Sequence, residues 1–448
     1  MKQLLLVITF FSALILSFTA ASKASASTIY ENSYNTVDIS EGRVSFLVKR
    51  KDVLLPTVND IIGIDWETNI QTSYNCRFPG NANLQAYKIS KTNKIYLFTQ
   101  SNAVYLEKDG WILTPEGSCF KISDLVADFK LTLTNGDAQL YVYYSENSNL
   151  LAISTTKKTY LIDIKTQTIV KEQGAPFFVG INPESYKNKV YNYSYHDKHS
   201  LYDDIYMDIY NLETFSYEKS IKLNRTQLGM YHFYFEASEK YNLKDEFFIT
   251  GGPSKKYFFG TYNPLTEKAV KKFDIPCPEV QIYVNLNTLI CNYSSPFAVR
   301  TSYSVIDMTT GASQLIWNNV AFKPLLSEKN GLIILQTPTS YGFDFYNLKT
   351  KTMKTFSAPP AHEYFLDRNE NNIITVGELN KKKGTIEISK FSITDPTKKQ
   401  LLHTVAVKKD DEIKGIFFDK EKEKVFISTK SPYGYYSDSG YYIDISQE

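Results

Sequence analysis

The feature that most constrains this fold is a sequence pattern that recurs along the chain: a β-type segment, an Asp or Asn, a turn, and a second β-type segment. Consecutive copies lie 40 to 54 residues apart, and 335 residues over seven intervals give a mean of about 48. A period of about 40–50 residues with several strands per unit is typical of a β-propeller. The copies contain Asp109, Asp163, Asn211, Asn263, Asp307, Asn347, Asp395 and Asp444. We therefore predict an all-β fold, a β-propeller of four-stranded blades.

The residues of one repeat indicate four strands in each blade. Residues 138–172 divide into four short runs rich in apolar and aromatic side chains, and polar turns separate the runs. Ser, Asn, Lys and Thr in those turns are suited to hairpin connections. Tyr and Phe, at 34 and 28 of the 448 residues, fit a pleated and half-buried surface.

The two ends of the repeat array predict how the ring closes. The last copy contains three strands and no fourth, while Gly42–Arg50 near the other end forms a strand without a partner in its own repeat. Pairing Gly42–Arg50 with Tyr441–Ile445 would remove two open sheet edges, which promote aggregation. This arrangement predicts eight blades. The segment Val58–Tyr74 is ambiguous and fits an extra half-blade, and seven blades is the alternative.

Residues 1–26 have the organisation of a signal peptide. Lys2 is followed by the apolar run Leu4–Ala20 and by Ala24-Ser25-Ala26, an A-x-A cleavage site. We expect a single β-propeller domain over residues 27–448 that is secreted or periplasmic; an uncleaved anchor is the alternative. No other segment approaches the roughly 18 consecutive apolar residues that span a bilayer, so we expect no membrane span after cleavage.

In an exported protein we expect the four cysteines to form disulfides, because an even number of cysteines in an oxidising compartment usually does so. Proximity favours a Cys277–Cys291 bond, which closes a loop of about 15 residues. Cys76–Cys119 would then join the N-terminal region to the next repeat. A zinc site is the alternative, but the sequence contains no C-x-x-C pair.

The turn that ends each third strand resembles that of bacterial secreted propellers of the YVTN and quinoprotein-like type. In this sequence the pattern is Asp163-x-x-Thr166, Asn211-x-x-Thr214, Asn263-x-x-Thr266, Asp307-x-Thr309-Thr310 and Asn347-x-x-Thr350. The resemblance implies the fold and no cofactor, because the repeated tryptophan-docking pattern of quinoprotein dehydrogenases is missing. Trp occurs only at positions 66, 111 and 317. The repeated Asp and Asn residues are expected to form turns through side-chain-to-backbone hydrogen bonds.

One segment, Asp367–Glu378, has a spacing of oxygen side chains close to that of an EF-hand calcium loop. It aligns, however, with the segments that begin at Tyr143 and Phe417 in two other repeats, where the polar residues join the first and second strands. It also lacks the glycine at the sixth position of a calcium loop. We therefore predict a hairpin turn here and no metal site.

The histidines offer few catalytic arrangements. His196 and His199 lie close to two aspartates and fit a metal site if their loop folds back, although an exposed loop between second and third strands is the simpler interpretation. His232 and His362 begin inner strands and are placed to face the central channel. The sequence contains no linear hydrolase, zinc-protease or phosphate-binding motif. A formal net charge of +2 argues against nucleic-acid binding.

The loops at one end of the predicted propeller are rich in Tyr, Pro, Ser and His, whereas Lys, Glu, Asn and Thr dominate the other end. Tyr presents a large amphipathic surface at low entropic cost, which suits protein or glycan recognition. The predicted binding residues are Tyr195, His196, His199, His362, Tyr433, Tyr435 and Tyr436. We predict a monomeric, non-enzymatic propeller that binds a protein or glycan ligand. The alternative is an extracellular glycan hydrolase or lyase with a site assembled from several blades.

Overall fold

The computed structural model describes the chain from residue 26 to residue 446, with gaps. The described residues are 26–33, 36–39, 42–50, 59–76, 83–90, 94–101, 107–108, 110–126, 131–132, 141–145, 149–154, 158–174, 184–186, 189–195, 205–211, 216–223, 232–234, 246–251, 257–263, 265–266, 268–277, 279–294, 301–320, 323–337, 342–359, 361–432 and 438–446. The predicted signal peptide lies outside these ranges except for Ala26, the first residue of β1 (Ala26–Ser33).

The described strands form nine four-stranded antiparallel sheets and one two-stranded sheet. Sheet 1 contains β2 (Thr36–Ile39), β3 (Val44–Arg50), β4 (Asn59–Asp65) and β5 (Gln71–Tyr74). Sheet 2 contains β6 (Asn83–Lys88), β7 (Tyr96–Ser101), β9 (Gly110–Leu113) and β10 (Cys119–Lys121), and the helix α1 (Ile122–Leu125) follows it. The two-stranded sheet pairs β8 (Glu107–Lys108) with β11 (Leu131–Thr132). Sheet 3 contains β12 (Tyr141–Ser145), β13 (Leu150–Ser154), β14 (Lys158–Asp163) and β15 (Thr168–Gly174).

The next three sheets follow the same order of strands. Sheet 4 contains β16 (Glu184–Tyr186), β17 (Lys189–Tyr195), β18 (Ile205–Asn211) and β19 (Tyr217–Leu223). Sheet 5 contains β20 (His232–Tyr234), β21 (Phe247–Gly251), β22 (Tyr257–Asn263) and β23 (Lys268–Ile275). Sheet 6 contains β24 (Glu279–Tyr283), β25 (Thr288–Ser294), β26 (Thr301–Asp307) and β27 (Ser313–Val320), with a 3₁₀ turn at Val284–Leu286.

The last three sheets complete the described chain. Sheet 7 contains β28 (Leu325–Ser327), β29 (Leu332–Thr337), β30 (Gly342–Asn347) and β31 (Thr352–Ser357). Sheet 8 contains β32 (Ala361–Leu366), β33 (Asn372–Gly377), β34 (Thr385–Ser392) and β35 (Lys399–Ala406). Sheet 9 contains β36 (Glu412–Asp419), β37 (Lys424–Lys430) and β38 (Asp438–Asp444), and β1 pairs with β38 as its fourth strand.

The third strands are more buried than the fourth strands. In sheet 7, five of the six residues of β30 are buried, whereas five of the six residues of β31 are exposed. This difference arises because each sheet packs between two neighbours, so its middle strands meet apolar side chains on both sides. The sequence pattern that repeats is therefore the turn between the third strand and the more exposed fourth strand of each sheet.

Apolar clusters join the sheets in chain order and connect the last sheet to the first. One cluster contains residues of both sheet 9 and sheet 1, and the Trp66 ring stacks on Phe426 with ring centroids 3.6 Å apart. Other clusters join sheets 1 and 2, 2 and 3, 5 and 6, 6 and 7, 7 and 8, and 8 and 9. Four-stranded antiparallel sheets that follow one another along the chain and pack face to face are the architecture of a β-propeller.

The predicted partner of Gly42–Arg50 was wrong. The strand in this segment, β3, lies between β2 and β4, and Val44 is opposite Asp65. The turn at Gly42 and Arg43, with φ of +51° at Arg43, folds β3 back onto β2. Both edges of β3 are therefore occupied. The strand that pairs with the C-terminal sheet is β1, whose Ala26 is opposite Ile443.

The described chain contains nine four-stranded sheets, one more than the eight blades predicted and two more than the alternative of seven. The ambiguous segment Val58–Tyr74 accounts for the difference, because it supplies β4 and β5 of a complete first sheet. It also contains an unrecognised copy of the repeated turn, in which Asp65 Oδ1 accepts hydrogen bonds from the backbone N–H groups of Glu67 and Thr68.

Several of the repeated Asp and Asn residues form turns, as predicted. Asp163 Oδ1 accepts the backbone N–H groups of residues 165 and 166 at 2.8 and 3.0 Å, and Asn263 Oδ1 accepts those of residues 265 and 266 at 2.9 and 3.1 Å. The turn after Asn211 lies outside the described residues, and Asp395 lies three residues after the end of its third strand at Ser392 and accepts the Thr397 hydroxyl. Sheet 2 differs, because its third strand ends at Leu113 and Thr114–Ser118 forms the following turn. Asp109, which the repeat analysis placed at this turn, precedes that strand and lies outside the described residues.

Two further predictions are confirmed. The cysteines pair as Cys76–Cys119 and Cys277–Cys291, with Cα atoms 5.6 and 5.9 Å apart. Asp367 begins a hairpin turn between β32 and β33, and its Oδ1 accepts the backbone N–H groups of residues 371 and 372 at 2.8 and 3.1 Å. In the part of the chain that the structure describes, no helix is long and apolar enough to cross a membrane.

Candidate functional site

The candidate site lies at one end of the propeller, which we call the upper end. It is the end at which first and third strands begin and second strands finish, since the strands of each sheet are antiparallel. Tyr195 is the last residue of the second strand β17, and His362 is the second residue of the first strand β32, so both lie there. His362 is exposed, and His232 begins the first strand β20. The remaining predicted binding residues, His196, His199, Tyr433, Tyr435 and Tyr436, lie outside the described residues.

The segment that carries three of those tyrosines is attached to a fixed base. It connects β37, which ends at Lys430, to β38, which begins at Asp438. Near the end of β37, the buried Thr429 hydroxyl donates a hydrogen bond of 2.8 Å to Asp411 Oδ2. At the start of β38, the Asp438 carboxylate lies 3.0 Å from Lys414 Nζ. Both strands are thus held by side chains at the points where the segment leaves and rejoins the sheet.

Lys414 also connects sheet 9 to sheet 1. Its Nζ lies 3.6 Å from Asp38 Oδ2 and donates a hydrogen bond of 2.6 Å to the carbonyl oxygen of Thr36. The Thr36 hydroxyl contacts both Lys414 Nζ and Asp438 Oδ2. One ammonium group therefore lies between two carboxylates from different sheets at the upper end, an arrangement that neutralises part of their charge.

Asp38 is held in place from its other side by neutral donors. Its Oδ1 accepts the hydroxyl groups of Tyr30 at 2.9 Å and Ser45 at 2.6 Å, and Trp66 Nε1 donates to the Ser45 hydroxyl at 2.7 Å. Burial, with a smaller contribution from the Asp38 charge, raises the pKa of Tyr30 far above its usual range. Tyr30 is therefore a neutral hydrogen-bond donor at every pH at which the protein is folded.

A recess of about 220 Å³ lies on sheet 8, beside the connection from β31 to β32 that contains Pro359 and precedes His362. Its floor is polar: Thr375 of β33 lies opposite Ser389 of β34, and both are buried. The residues that line it are Pro359, Thr375, Gly377, Glu378, Asn380, Thr385, Glu387, Ser389, Phe391 and Lys399.

A second groove, of about 670 Å³, lies between sheets 5 and 6 and is more open. Its polar groups bind one another: the Ser302 hydroxyl donates to Asn318 Oδ1 at 2.6 Å and accepts the backbone N–H of Asn319 at 3.1 Å. Leu315, at 57% exposure, lies on its outer side.

The sequence predicts a binding surface at the upper end, which stays a prediction, and it did not single out Lys414, Asp38 or the recess. A local signal for the recess exists, because Thr385, Glu387 and Ser389 alternate along one face of β34. No comparable signal marks Asp38: Tyr30 and Ser45 are eight and seven positions away, but its ion-pair partner Lys414 comes from the last sheet. Among the described residues, no group of three or more His, Cys, Asp or Glu side chains is arranged to hold a metal ion.

No protein-family model matches this sequence. No curated protein matches it either. The resemblance to propellers of the YVTN and quinoprotein-like type therefore stays a prediction.

Solved structures with a similar fold include several β-propellers. The Dos1 propeller is 10% identical with a TM-score of 0.36, and the match covers 94% of each chain. The β-propeller domain of the Trilobed protease from Pyrococcus furiosus is 13% identical with a TM-score of 0.33, covering 86% of this chain and 97% of that one. A eukaryotic initiation factor is 12% identical with a TM-score of 0.46, covering 85% of this chain and 89% of that one. These are similarities of fold and carry no argument about activity.

Proposed function

We propose that this chain is an exported, monomeric β-propeller that binds a protein or glycan ligand through the loops of its upper end. The observation that carries the proposal is the fixed base of the segment between β37 and β38, where Thr429–Asp411 and Lys414–Asp438 contacts hold both flanking strands. Loops on a rigid scaffold are the usual place for recognition, because the scaffold bears the entropic cost of positioning them. The tyrosines at 433, 435 and 436 lie within this segment.

The export part of the proposal is supported by the cysteines. Both pairs lie within disulfide distance, and all four cysteine side chains are accounted for by these two pairs. Disulfides persist in oxidising compartments such as the periplasm and the extracellular space. A secreted or periplasmic location is consistent with this and with the signal peptide predicted over residues 1–26.

The binding surface is tested with the double variant Tyr435→Ala/Tyr436→Ala. If these tyrosines are exposed together, the variant should keep the wild-type melting temperature and lose capture on a panel of immobilised matrix proteins and glycans. Tyr and Trp often dominate binding energy, so a loss of at least about tenfold in affinity is expected. The matched control is Tyr87→Ala/Tyr217→Ala, since these tyrosines are 49% and 48% exposed on β6 and β19.

Two outcomes would contradict the proposal. Equal capture by the wild type and the Tyr435→Ala/Tyr436→Ala variant would remove these tyrosines from the binding surface. A fall in the free energy of unfolding of about 3 kcal/mol or more for each tyrosine, as for truncated core aromatics, would place the two tyrosines between blades instead.

The alternative function, an extracellular glycan hydrolase or lyase, is favoured by one observation. Asp38 and Asp438 both contact Lys414 at the upper end, and glycosidases use pairs of carboxylates. Against it, Asp38 Oδ1 is already engaged by Tyr30 and Ser45. Release of shortened products from any glycan in the same panel would support the enzyme over the binding protein.

A further inference from the structure

We infer that the recess on sheet 8 binds a single uncharged or amino sugar unit. The inference rests on the proposed function, because it names the glycan as the ligand class and places a contact site beside His362 at the upper end. It does not depend on the tyrosines at 433, 435 and 436.

The first argument is the polarity of a surface that lies between blades. Neighbouring blades pack through apolar side chains, as Phe343 of sheet 7 and Phe391 of sheet 8 do with ring centroids 6.1 Å apart. Farther along the same face, Thr375 and Ser389 are 5% and 2% exposed and lie opposite each other. The Thr375 hydroxyl donates a long hydrogen bond of 3.4 Å to the carbonyl oxygen of Ser389, and its lone pairs can still accept a hydrogen bond from a polyol in the recess.

The second argument is the space above those hydroxyl groups. Gly377 follows Thr375 on the same face of β33, and a Cβ at this position would lie 3.2 Å from the carbonyl oxygen of Glu387. The glycine therefore leaves open the part of the recess next to Glu387. Sites for drug-sized ligands are about 300–1,000 Å³, so a recess of about 220 Å³ fits one sugar ring with the rest of a glycan outside.

The third argument is charge. Glu387 Oε2 lies 3.1 Å from Lys399 Nζ, so the two side chains largely neutralise each other and hold each other in position. With Glu378, the lining contains two carboxylates and one ammonium group, a net charge of −1. This balance disfavours sulfated or phosphorylated sugars. An ionised carboxylate accepts hydrogen bonds from sugar hydroxyl groups or from an amine.

The fourth argument is rigidity. The recess is built on β33, β34 and β35, which are paired along their lengths. The turn that follows Asn380 is held by backbone bonds from Asn380 N–H to the Thr385 carbonyl at 2.8 Å and from Gly384 N–H to the Asn380 carbonyl at 2.7 Å. A site whose polar groups are already fixed loses little conformational entropy when a ligand binds.

The inference is tested by ligand-observed NMR and titration calorimetry of the full mature chain with free galactose, mannose, glucosamine and N-acetylglucosamine, and with galactose 6-sulfate as the anionic probe. At least one unsulfated sugar should bind. Glu387→Gln should weaken its affinity about tenfold, because it replaces a charged acceptor oxygen with an amide N–H donor, and Thr385→Val should weaken it about fivefold, because it removes a hydroxyl group; both change the shape little. The melting temperatures of both variants should stay close to that of the wild type.

The matched control is Glu172→Gln. Glu172 of the fourth strand β15 pairs with Lys158 of the third strand β14 at 2.8 Å, a cross-strand glutamate–lysine pair in sheet 3 with the two residue types exchanged between the strands. It should leave sugar affinity unchanged. No binding of any unsulfated sugar at about 10 mM, well above the millimolar affinities expected for so small a ligand, would overturn the inference. Equal affinities of wild type and Glu387→Gln, or preferential binding of galactose 6-sulfate, would also overturn it.

These outcomes are separate from those of the proposed function. If sugars fail to bind but the Tyr435→Ala/Tyr436→Ala variant still loses capture of a matrix protein, the recess fails and the upper-end binding surface stands. If sugars bind through the recess and the tyrosine variant captures every ligand normally, the recess stands and the tyrosine surface fails.

Discussion

Asp and Asn residues at the ends of third strands each hold the following turn with one side-chain oxygen. Asp307 Oδ1 accepts the backbone N–H groups of Thr309 and Thr310 at 2.9 and 2.8 Å. Asn347 Oδ1 makes the same two bonds, both at 2.9 Å, to residues 349 and 350. An amide oxygen and a carboxylate oxygen therefore accept the same two hydrogen bonds in this turn. This explains why both Asp and Asn occur at this position of the repeats.

Replacing Asp307 tests this role. Asp307→Ala removes the acceptor of two backbone N–H groups and should lower the free energy of unfolding by about 1 kcal/mol. Asp307→Asn keeps an oxygen in the same place and should cost much less at pH 7. Urea denaturation of the two variants and the wild type measures both values. If Asp307→Asn lowers the free energy of unfolding as much as Asp307→Ala does, the charge of Asp307 stabilises the turn, and the acceptor position that it shares with Asn347 does not.

The pH dependence of the same variants has a defined sign. The backbone N–H of Thr310, ahead of the smaller contributions from its hydroxyl and from Thr309, holds the pKa of Asp307 below its usual 3.8. A carboxylate whose pKa is lower in the folded state stabilises the protein above its unfolded pKa, and this contribution disappears as the pH falls through the folded pKa. The stability of the wild type relative to Asp307→Asn should therefore fall between about pH 5 and about pH 2.

Strands and turns show which parts of the fold can be predicted from the sequence. The third strands were predictable because their turns depend on local chemistry, an Asp or Asn followed by backbone donors two and three residues later. The partner of β3 was not, because the alternation in Val44–Arg50 fits any neighbouring strand and the choice depends on contacts remote in sequence. Recognising Asp65-x-x-Thr68 as one more copy would have predicted the first sheet. The neighbours of Lys414 are likewise set by packing of the first sheet against the last.

The Cys277–Cys291 pair is the element whose contribution to stability is clearest. Both residues are fully buried in the cluster that joins sheets 5 and 6, and they are 14 positions apart in the sequence. Replacing both by Ala should lower the free energy of unfolding by about 3 kcal/mol through the entropy of the unfolded chain. Thermal melts of this variant and of the corresponding Cys76/Cys119 variant measure the effect.

Peptide mapping of the mature, non-reduced protein provides the independent check. It should recover Cys277 linked to Cys291 and Cys76 linked to Cys119, with no free thiol. A melting temperature that is unchanged when the Cys277–Cys291 bond is removed would mean that the packing of the cluster, and not the covalent link, holds sheet 6 against sheet 5.

At the scale of the whole molecule, the contact between sheets 9 and 1 connects the two ends of the described chain. At the upper end, Lys414 reaches Asp38, and at the opposite end Arg43 lies 2.9 Å from Asp419. Between them, the stacked rings of Trp66 and Phe426 fill the interior. Both ion pairs are partly buried, and the cost of removing their charges from water offsets much of their mutual attraction. We therefore attribute the strength of this contact to its aromatic interior and to β1, which supplies the fourth strand of sheet 9.

The attachment of β1 depends on one glycine. Gly440 of β38 lies under the Tyr30 ring, and a Cβ there would lie 2.6 Å from a ring carbon. Gly440→Ala should displace Tyr30, break its hydrogen bond to Asp38 and lower the free energy of unfolding by about 2 kcal/mol. Gly415→Ala in β36 is the matched control, since its Cβ would meet only the Ser428 hydroxyl at an ordinary 3.5 Å. Hydrogen exchange should show faster exchange of the backbone amides of Ala26–Ser33 in Gly440→Ala than in Gly415→Ala. Equal exchange in the two variants would mean that β1 is held on sheet 9 by its backbone hydrogen bonds alone and that the Tyr30 side chain plays no part.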